Sequence, residues 1–259
     1  MAKLDILLSP AEYERPFSQI PSPSLNIVFD ILRATTSMTL ALHHGATSIL
    51  PTATINQAVQ AHEAYPSTLL AGERGGHRIT ADMSGSIDFH FGNSPREFTK
   101  EKVNGRSLVM TTTNGTRALE ACKNQGTTII SCFLSLEATV DYIRQSEFPS
   151  LRIICAGTGD NCAYEDILAA GALATRLFED NYVSDLTDAA YLAIQCYQRE
   201  ASDLLNAAHR AANGRRLLKL PEFREDVALC MNVSSQKLNI LAMRGVDGHI
   251  RATRSQSPF

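Results

Sequence analysis

The chain has 259 residues, 44% hydrophobic and 20% charged, with a formal net charge of -3. That length supports one large α/β domain or two lobes, and the near-neutral balance, without a long basic run, argues against nucleic acid or anionic membrane as a main partner. No apolar stretch approaches the roughly 20 residues of a membrane helix, and the start, Met1-Ala2-Lys3-Leu4-Asp5, lacks a signal-peptide core.

The pattern alternates strand and helix. A strand over 26–31 leads into a helix over 34–44, stopped by Gly45. A strand over 47–50 ends at Pro51, and a helix over 54–64 follows with Thr54 as its N-cap. After a strand over 69–71 comes an irregular stretch, 72–105, rich in Gly, Ser, Asp and Asn. A loop of that length in a compact domain reads as functional, and a soft boundary between subdomains falls within it. The alternation resumes with a strand over 107–110, a helix over 117–122 and a strand over 127–132. A helix over 136–145, capped by Ser135, precedes a strand over 151–156 and a strongly periodic helix over 165–180. One or two further helices fill 185–213, and 238–253 reads as a terminal hairpin around Val246-Asp247-Gly248. Residues 255–259 read as frayed. The expected architecture is a layered α/β/α fold with a largely parallel or mixed sheet, either one domain or two lobes around a central cleft. Six scattered cysteines, among them Cys132, Cys155 and Cys196 in apolar runs, read as small buried hydrophobes of a reducing cytoplasm.

Five polar stretches each follow an expected strand. Thr111-Thr112-Thr113-Asn114-Gly115-Thr116-Arg117 crowds hydroxyls, an amide and a guanidinium where a helix begins, and a helix N-terminus suits an anion. Asp30-Ile31-Leu32-Arg33-Ala34-Thr35-Thr36-Ser37 sets a carboxylate able to hold Mg²⁺ beside groups able to grip phosphate; the structural alternative is a helix cap. Gly72-Glu73-Arg74-Gly75-Gly76 places an acid and a base among glycines, which is equally the composition of a surface turn. Asn93 and Ser94 precede Pro95 and suit either capping or anion contact. Gly157-Thr158-Gly159 ends a strand and Glu165-Asp166 opens a helix, where acids meet the helix dipole or a metal. If parallel strands align these ends on one edge, they form a Mg²⁺-assisted phosphate site. Walker A, paired-aspartate, cysteine-arginine and Gly-x-Ser-x-Gly signatures are all missing, and the histidines lack zinc spacing.

These five stretches, in order from about Asn26 to Gly171, resemble the 2-phosphosulfolactate phosphatase family. The resemblance implies a cytoplasmic, Mg²⁺-dependent hydrolase that converts 2-phosphosulfolactate to sulfolactate and phosphate, a step of coenzyme M synthesis in some organisms. It also implies a homo-oligomer, with a dimer favoured. On this reading Asp30, Arg33, Arg117 and Asp166 are the catalytic candidates, and Asp30, Glu73, Glu165 and Asp166 the metal candidates. Thr35, Thr36, Arg74, Asn93, Ser94, Thr111, Thr112, Thr113, Asn114, Gly115, Thr116, Gly157 and Thr158 are the candidates for contact with a phosphorylated or sulfonated metabolite. The chain departs from the family pattern at Thr80 to His90 and at Gly159-Asp160-Asn161-Cys162, both candidates for the non-phosphate end of the substrate. A non-catalytic sensor of such a metabolite, or a phosphatase for another small organic phosphate, are the competing readings.

Overall fold

The structure, a computed structural model, describes residues 1–14, 24–123, 125–145, 148–233, 240–244 and 250–254. In chain order these form β1 (Ala2–Leu7), α1 (Pro10–Tyr13), β2 (Ser24–Phe29), α2 (Ala34–His43), β3 (Ser48–Pro51), α3 (Ile55–Ala64) and β4 (Leu69–Arg74). The long polar stretch then holds β5 (His77–Arg78), α4 (Ala81–Ser84) and α5 (Lys100–Val103). Next come β6 (Ser107–Thr111), α6 (Gly115–Ala121), β7 (Thr127–Ser131), α7 (Leu136–Gln145), β8 (Ser150–Cys155) and α8 (Tyr164–Glu179). The last third contains β9 (Val183–Leu186), α9 (Asp188–Glu200), α10 (Leu204–Ala208), α11 (Ala212–Leu218), α12 (Arg224–Cys230), β10 (Ile240–Arg244) and β11 (Ile250–Arg254).

The strands form one sheet in the order β5-β4-β6-β3-β11-β10-β7-β2-β8-β1-β9. β7, β2, β8, β1 and β9 are mutually parallel, as are β4, β6 and β3. The β10–β11 hairpin joins the two groups, antiparallel to β7 on one side and to β3 on the other. The two groups therefore run in opposite directions. This corrects the expectation of one parallel edge. The expected terminal hairpin exists, but it sits in the middle of the sheet, and its turn, 245–249, lies outside the described residues.

Both groups pack on α2 and α6, and that shared core brings strand ends from the two groups to one cavity. Val28, Ile130 and Ile154 from one group and Leu69, Leu108 and Met110 from the other enter a single core with Met38, Leu42 and Leu119 of those helices. The alternation along β2 sends Leu25, Ile27 and Phe29 to the opposite core, against α8. On that outer side α8 packs on α9 at Gly171, where a Cβ would lie 2.0 Å from the Ala193 carbonyl oxygen. The N-terminus adds β1, which the elements expected from the sequence do not include although Lys3 and Asp5 alternate with buried Ala2, Leu4 and Ile6; β1 pairs with both β8 and β9. The expected α3 cap is present as a reciprocal Thr54–Gln57 capping box. Cys122, Cys132, Cys155 and Cys230 are buried as expected, whereas Cys196 is half-buried and Cys162 exposed. No helix among the described residues is long and apolar enough to cross a membrane.

Candidate active site

Asp30 follows β2, and its side chain lies between the first turns of α2 and α6. It accepts hydrogen bonds from the backbone N–H groups of Ala34, at 3.2 Å, and Gly115. Glycine is required at 115: a Cβ there would stand 2.8 Å from Asp30 Oδ2 and 2.7 Å from the Ala34 Cβ. Burial pushes the Asp30 carboxyl up to about 7, with Glu73 and Glu165 adding repulsion and the two N–H donors opposing it. Thr35 fixes the turn, its hydroxyl bonding both the N–H and the carbonyl of Asp30.

Asp30 lines a cavity of about 150 Å³, together with Arg33, Glu73, Asn93, Thr113 and Thr158. Leu32, the Gly75–Gly76 turn, Asn114 and Arg216 complete the wall. Glu73, at the end of β4, takes Thr113 N–H and Oγ1 on one oxygen, both at 2.9 Å, and Gly76 N–H on the other at 2.8 Å. It therefore ties the β4 turn to the β6 turn. The Arg33 guanidinium is buried, donating to Asp226 Oδ2 at 2.6 Å and to the Gly76 carbonyl at 2.9 Å, and it lies 4.2 Å over the Phe223 ring. Asp226 also accepts from Ser94 Oγ and Arg96 Nε. A larger groove of about 550 Å³ lies beside α3, but its charges are the Glu120–Lys123 pair on its rim and no buried acids converge there.

The other candidates from the sequence are placed around this cavity rather than in it. Asp166 receives the N–H of Ile31 at 2.8 Å and of Gly157 at 3.1 Å, one on each oxygen, and so clamps the β2 turn to the β8 turn. Burial, with Glu165 and Asp30 nearby, raises its carboxyl well above the usual range. Glu165 is buried behind the cavity and accepts from Asn213 Nδ2 at 2.7 Å, while its Oε2 has no partner; burial raises its carboxyl too. Thr36 bonds the Ile31 carbonyl. Thr112 and Thr116 bond each other's backbone, and Arg74 is held by Thr111 and its neighbour's carbonyl. Ser94 caps a short turn with Glu97. Gly157, at φ 72°, allows the chain to pass Pro10 and Asn161. Arg117 faces outward, bonded to Glu14, Asp160 Oδ1 and the Gly159 carbonyl. None of the stretch 80–90 lines the cavity; Phe89 packs with Leu70 and Val109, and His90 Nδ1 accepts from Leu70 N–H.

Three residues of the site lay in helices that carry no motif: Asn213 and Arg216 of α11 and Asp226 of α12. Asn213 Nδ2 reaches Thr158 Oγ1 and Glu165 Oε1, both at 2.7 Å, and Arg216 reaches the Gly75 carbonyl at 3.1 Å. The spacing of a surface helix with Arg215 and Arg216 gives no sign of this in sequence.

The donor chemistry suits a hard cation. The cavity offers the carboxylates of Asp30 and Glu73, and Asn93 Oδ1 is buried without a hydrogen-bond donor. Among the described residues no three His, Cys, Asp or Glu side chains form a ready-made ligand cluster. Mg²⁺ tolerates this, because it commonly takes one or two carboxylates and fills its octahedron with water and phosphate oxygens.

Comparison with known proteins bears on the family. The family model described as 2-phosphosulpholactate phosphatase matches residues 11–242. A protein of Caldanaerobacter subterraneus named "Probable 2-phosphosulfolactate phosphatase" is 34% identical over 211 residues, covering 80% of this chain and 83% of its own length. Proteins of the same name from Synechococcus sp. strain JA-3-3Ab and Picosynechococcus sp. are 35% and 32% identical, the latter covering 92% of this chain and 95% of its own. The chain belongs to the 2-phosphosulfolactate phosphatase family.

Proposed function

We propose that the chain is a phosphomonoesterase that hydrolyses 2-phosphosulfolactate to sulfolactate and phosphate with the help of Mg²⁺. One observation carries the reading: a buried carboxylate, Asp30, and a buried guanidinium, Arg33, line the same small cavity beside Asn93, whose Oδ1 is buried without a hydrogen-bond donor. Family membership narrows the substrate.

Asp30 and Glu73 would hold the cation, with Asn93 Oδ1 within the same wall. When bound, Mg²⁺ neutralises phosphate oxygens and polarises the phosphorus. The remaining work falls to the protein. Arg33 cannot swing, because Asp226, Gly76 and Phe223 hold it from three sides. Its guanidinium has five N–H donors, of which these contacts engage two. Lining the cavity, the guanidinium would meet charge growing on the phosphoryl oxygens with no reorganisation at the moment of reaction. Asp30 orients the attacking water, supported from beneath by Thr35 and the Ala34 N–H.

Phosphate release from 2-phosphosulfolactate tests this directly. Wild-type protein is expected to turn over with Mg²⁺ and to stop on chelation. Asp30→Asn keeps the shape and removes the charge; it should lose at least about 10²-fold in kcat. Undiminished Mg²⁺-dependent turnover in Asp30→Asn would remove Asp30 from the mechanism.

A further inference from the structure

We propose that Arg216, on α11, binds an anionic group of the substrate other than its phosphate, the sulfonate or the carboxylate, and so determines specificity, with Asn213 as its positioning residue. The inference rests on the phosphatase reading and deepens it. Two guanidiniums line the cavity, Arg33 and Arg216. They are held by adjacent carbonyls of one turn: Arg33 donates to Gly76 at 2.9 Å and Arg216 to Gly75 at 3.1 Å. Both glycines have positive φ, 63° and 93°, and a Cβ on Gly76 would stand 3.1 Å from Arg216 Nη1 and 4.0 Å from Arg33 Nη2. A side chain there would crowd the Arg216 head, while Arg33 would stay at ordinary contact distance.

Their charges are treated differently. Arg33 is matched by the fully buried Asp226 at 2.6 Å. Among the described residues Arg216 forms no ion pair; its partners are the Gly75 carbonyl and Asn213 Oδ1, both neutral. Glu165 feels its charge, but among the described residues no carboxylate lies in ion-pair contact with this second cationic head at the cavity. Asn213 is itself buried, and its amide spans Thr158, Glu165 and Arg216, joining α11 to the β8 turn. That fixes Arg216 relative to Thr158 of the cavity wall. The cavity's volume, about 150 Å³, equals about five waters in the liquid.

The bland alternative is a solvated helix arginine resting on a carbonyl. Titration calorimetry with sulfolactate and with inorganic phosphate separates the two. Arg216→Gln is expected to weaken sulfolactate binding roughly ten- to hundredfold, with inorganic phosphate affected by no more than about twofold. Arg216→Lys should recover part of the loss through its charge. In turnover, the same loss should fall on KM for 2-phosphosulfolactate and spare isopropyl phosphate, which has no second anion. Equal losses for both ligands, or none for either, would overturn the inference, with thermal melting confirming that the variant is folded. Wild-type protein that binds sulfolactate through Arg216 but releases no phosphate would instead count against the phosphatase reading alone.

Discussion

The site draws on two regions of opposite character. Up to Asp166 the chain supplies strand-end turns dense in glycine, threonine and acid, and several of their contacts are local: Thr35 on Asp30, Gly76 on Glu73 and the Thr112–Thr116 pair, while Thr113 reaches Glu73 across 40 positions. Beyond it, α11 and α12 supply Asn213, Arg216 and Asp226 from unremarked helical runs, and these act across the fold; Arg33 and Asp226 are 193 positions apart. The difference teaches how a site becomes legible. Motifs mark backbone that must adopt a special path, whereas a distant partner need only have the right charge, and any amphipathic helix carries several.

The sharpest way to break that comparison is Asp226→Ala. The aspartate is fully buried and bonds Arg33, Ser94 and Arg96. Removing it leaves the Arg33 charge buried and unpaired, a loss of about 3–5 kcal/mol, or a melting temperature lower by on the order of 10 °C for a chain of this size. If α12 truly locks the β2 turn, scanning calorimetry will show this drop and activity will fall with it. Replacing both partners together, Arg33→Met with Asp226→Leu, should restore part of the stability and none of the turnover. A melting temperature unmoved by Asp226→Ala would mean that the C-terminal helices only lean against the site.

The legible part of the fold was local. The apolar alternation and the Thr54 cap mark most strands and helices to within a few residues. The position of the hairpin was not legible, because strand order follows from which faces pack on α2 and α6, not from the hairpin's own residues. The same limit applies inside the site. The sequence shows carboxylates at strand ends, but not which oxygens are already engaged: Asp166 commits both to Ile31 and Gly157, and Glu73 commits both to Thr113 and Gly76 while still facing the cavity. Threonine hydroxyls read as ligands because a run of three is unusual, yet Thr111 and Thr112 hold Arg74 and Thr116. Only the end of that run, Thr113 and Asn114, reaches the cavity.

Within the motif-dense region, Gly115→Ala tests whether its composition serves backbone geometry. The added methyl would enter at 2.7 Å from the Ala34 Cβ and 2.8 Å from Asp30 Oδ2. The Ala34 Cβ is fixed to the backbone and the Asp30 carboxylate is held by N–H groups, so α2 and α6 must part or Asp30 must turn. Overpacking of this kind costs about 1–3 kcal/mol. Chemical denaturation should report that loss, and kcat should fall further than stability explains, because the displaced group is the Asp30 carboxylate. A variant of normal stability and normal kcat would show that the close approach at 115 is incidental.

Arg117→Ala is expected to do least, and it probes the motif region against its own most conspicuous charge. Its side chain is 35% exposed and bonds Glu14 and Asp160, both on the surface. Hydrogen bonding to Glu14 raises the guanidinium above its ordinary value, but exposed pairs of this kind contribute only about 0–1 kcal/mol once solvent screening is counted. Arg117 also holds the Gly159 carbonyl, so its loss should loosen the β8 turn slightly and leave the cavity wall intact. The expected outcome is a melting temperature within a few degrees of wild type, taking about 2–4 °C per kcal/mol, and a kcat/KM reduced by no more than about fivefold, the equivalent of ~1 kcal/mol. A drop beyond about 10²-fold, the scale of losing a transition-state donor, would mean that Arg117 leaves Glu14 for the substrate during turnover. The anion site would then belong to the threonine-rich turn as much as to Arg33 and α11.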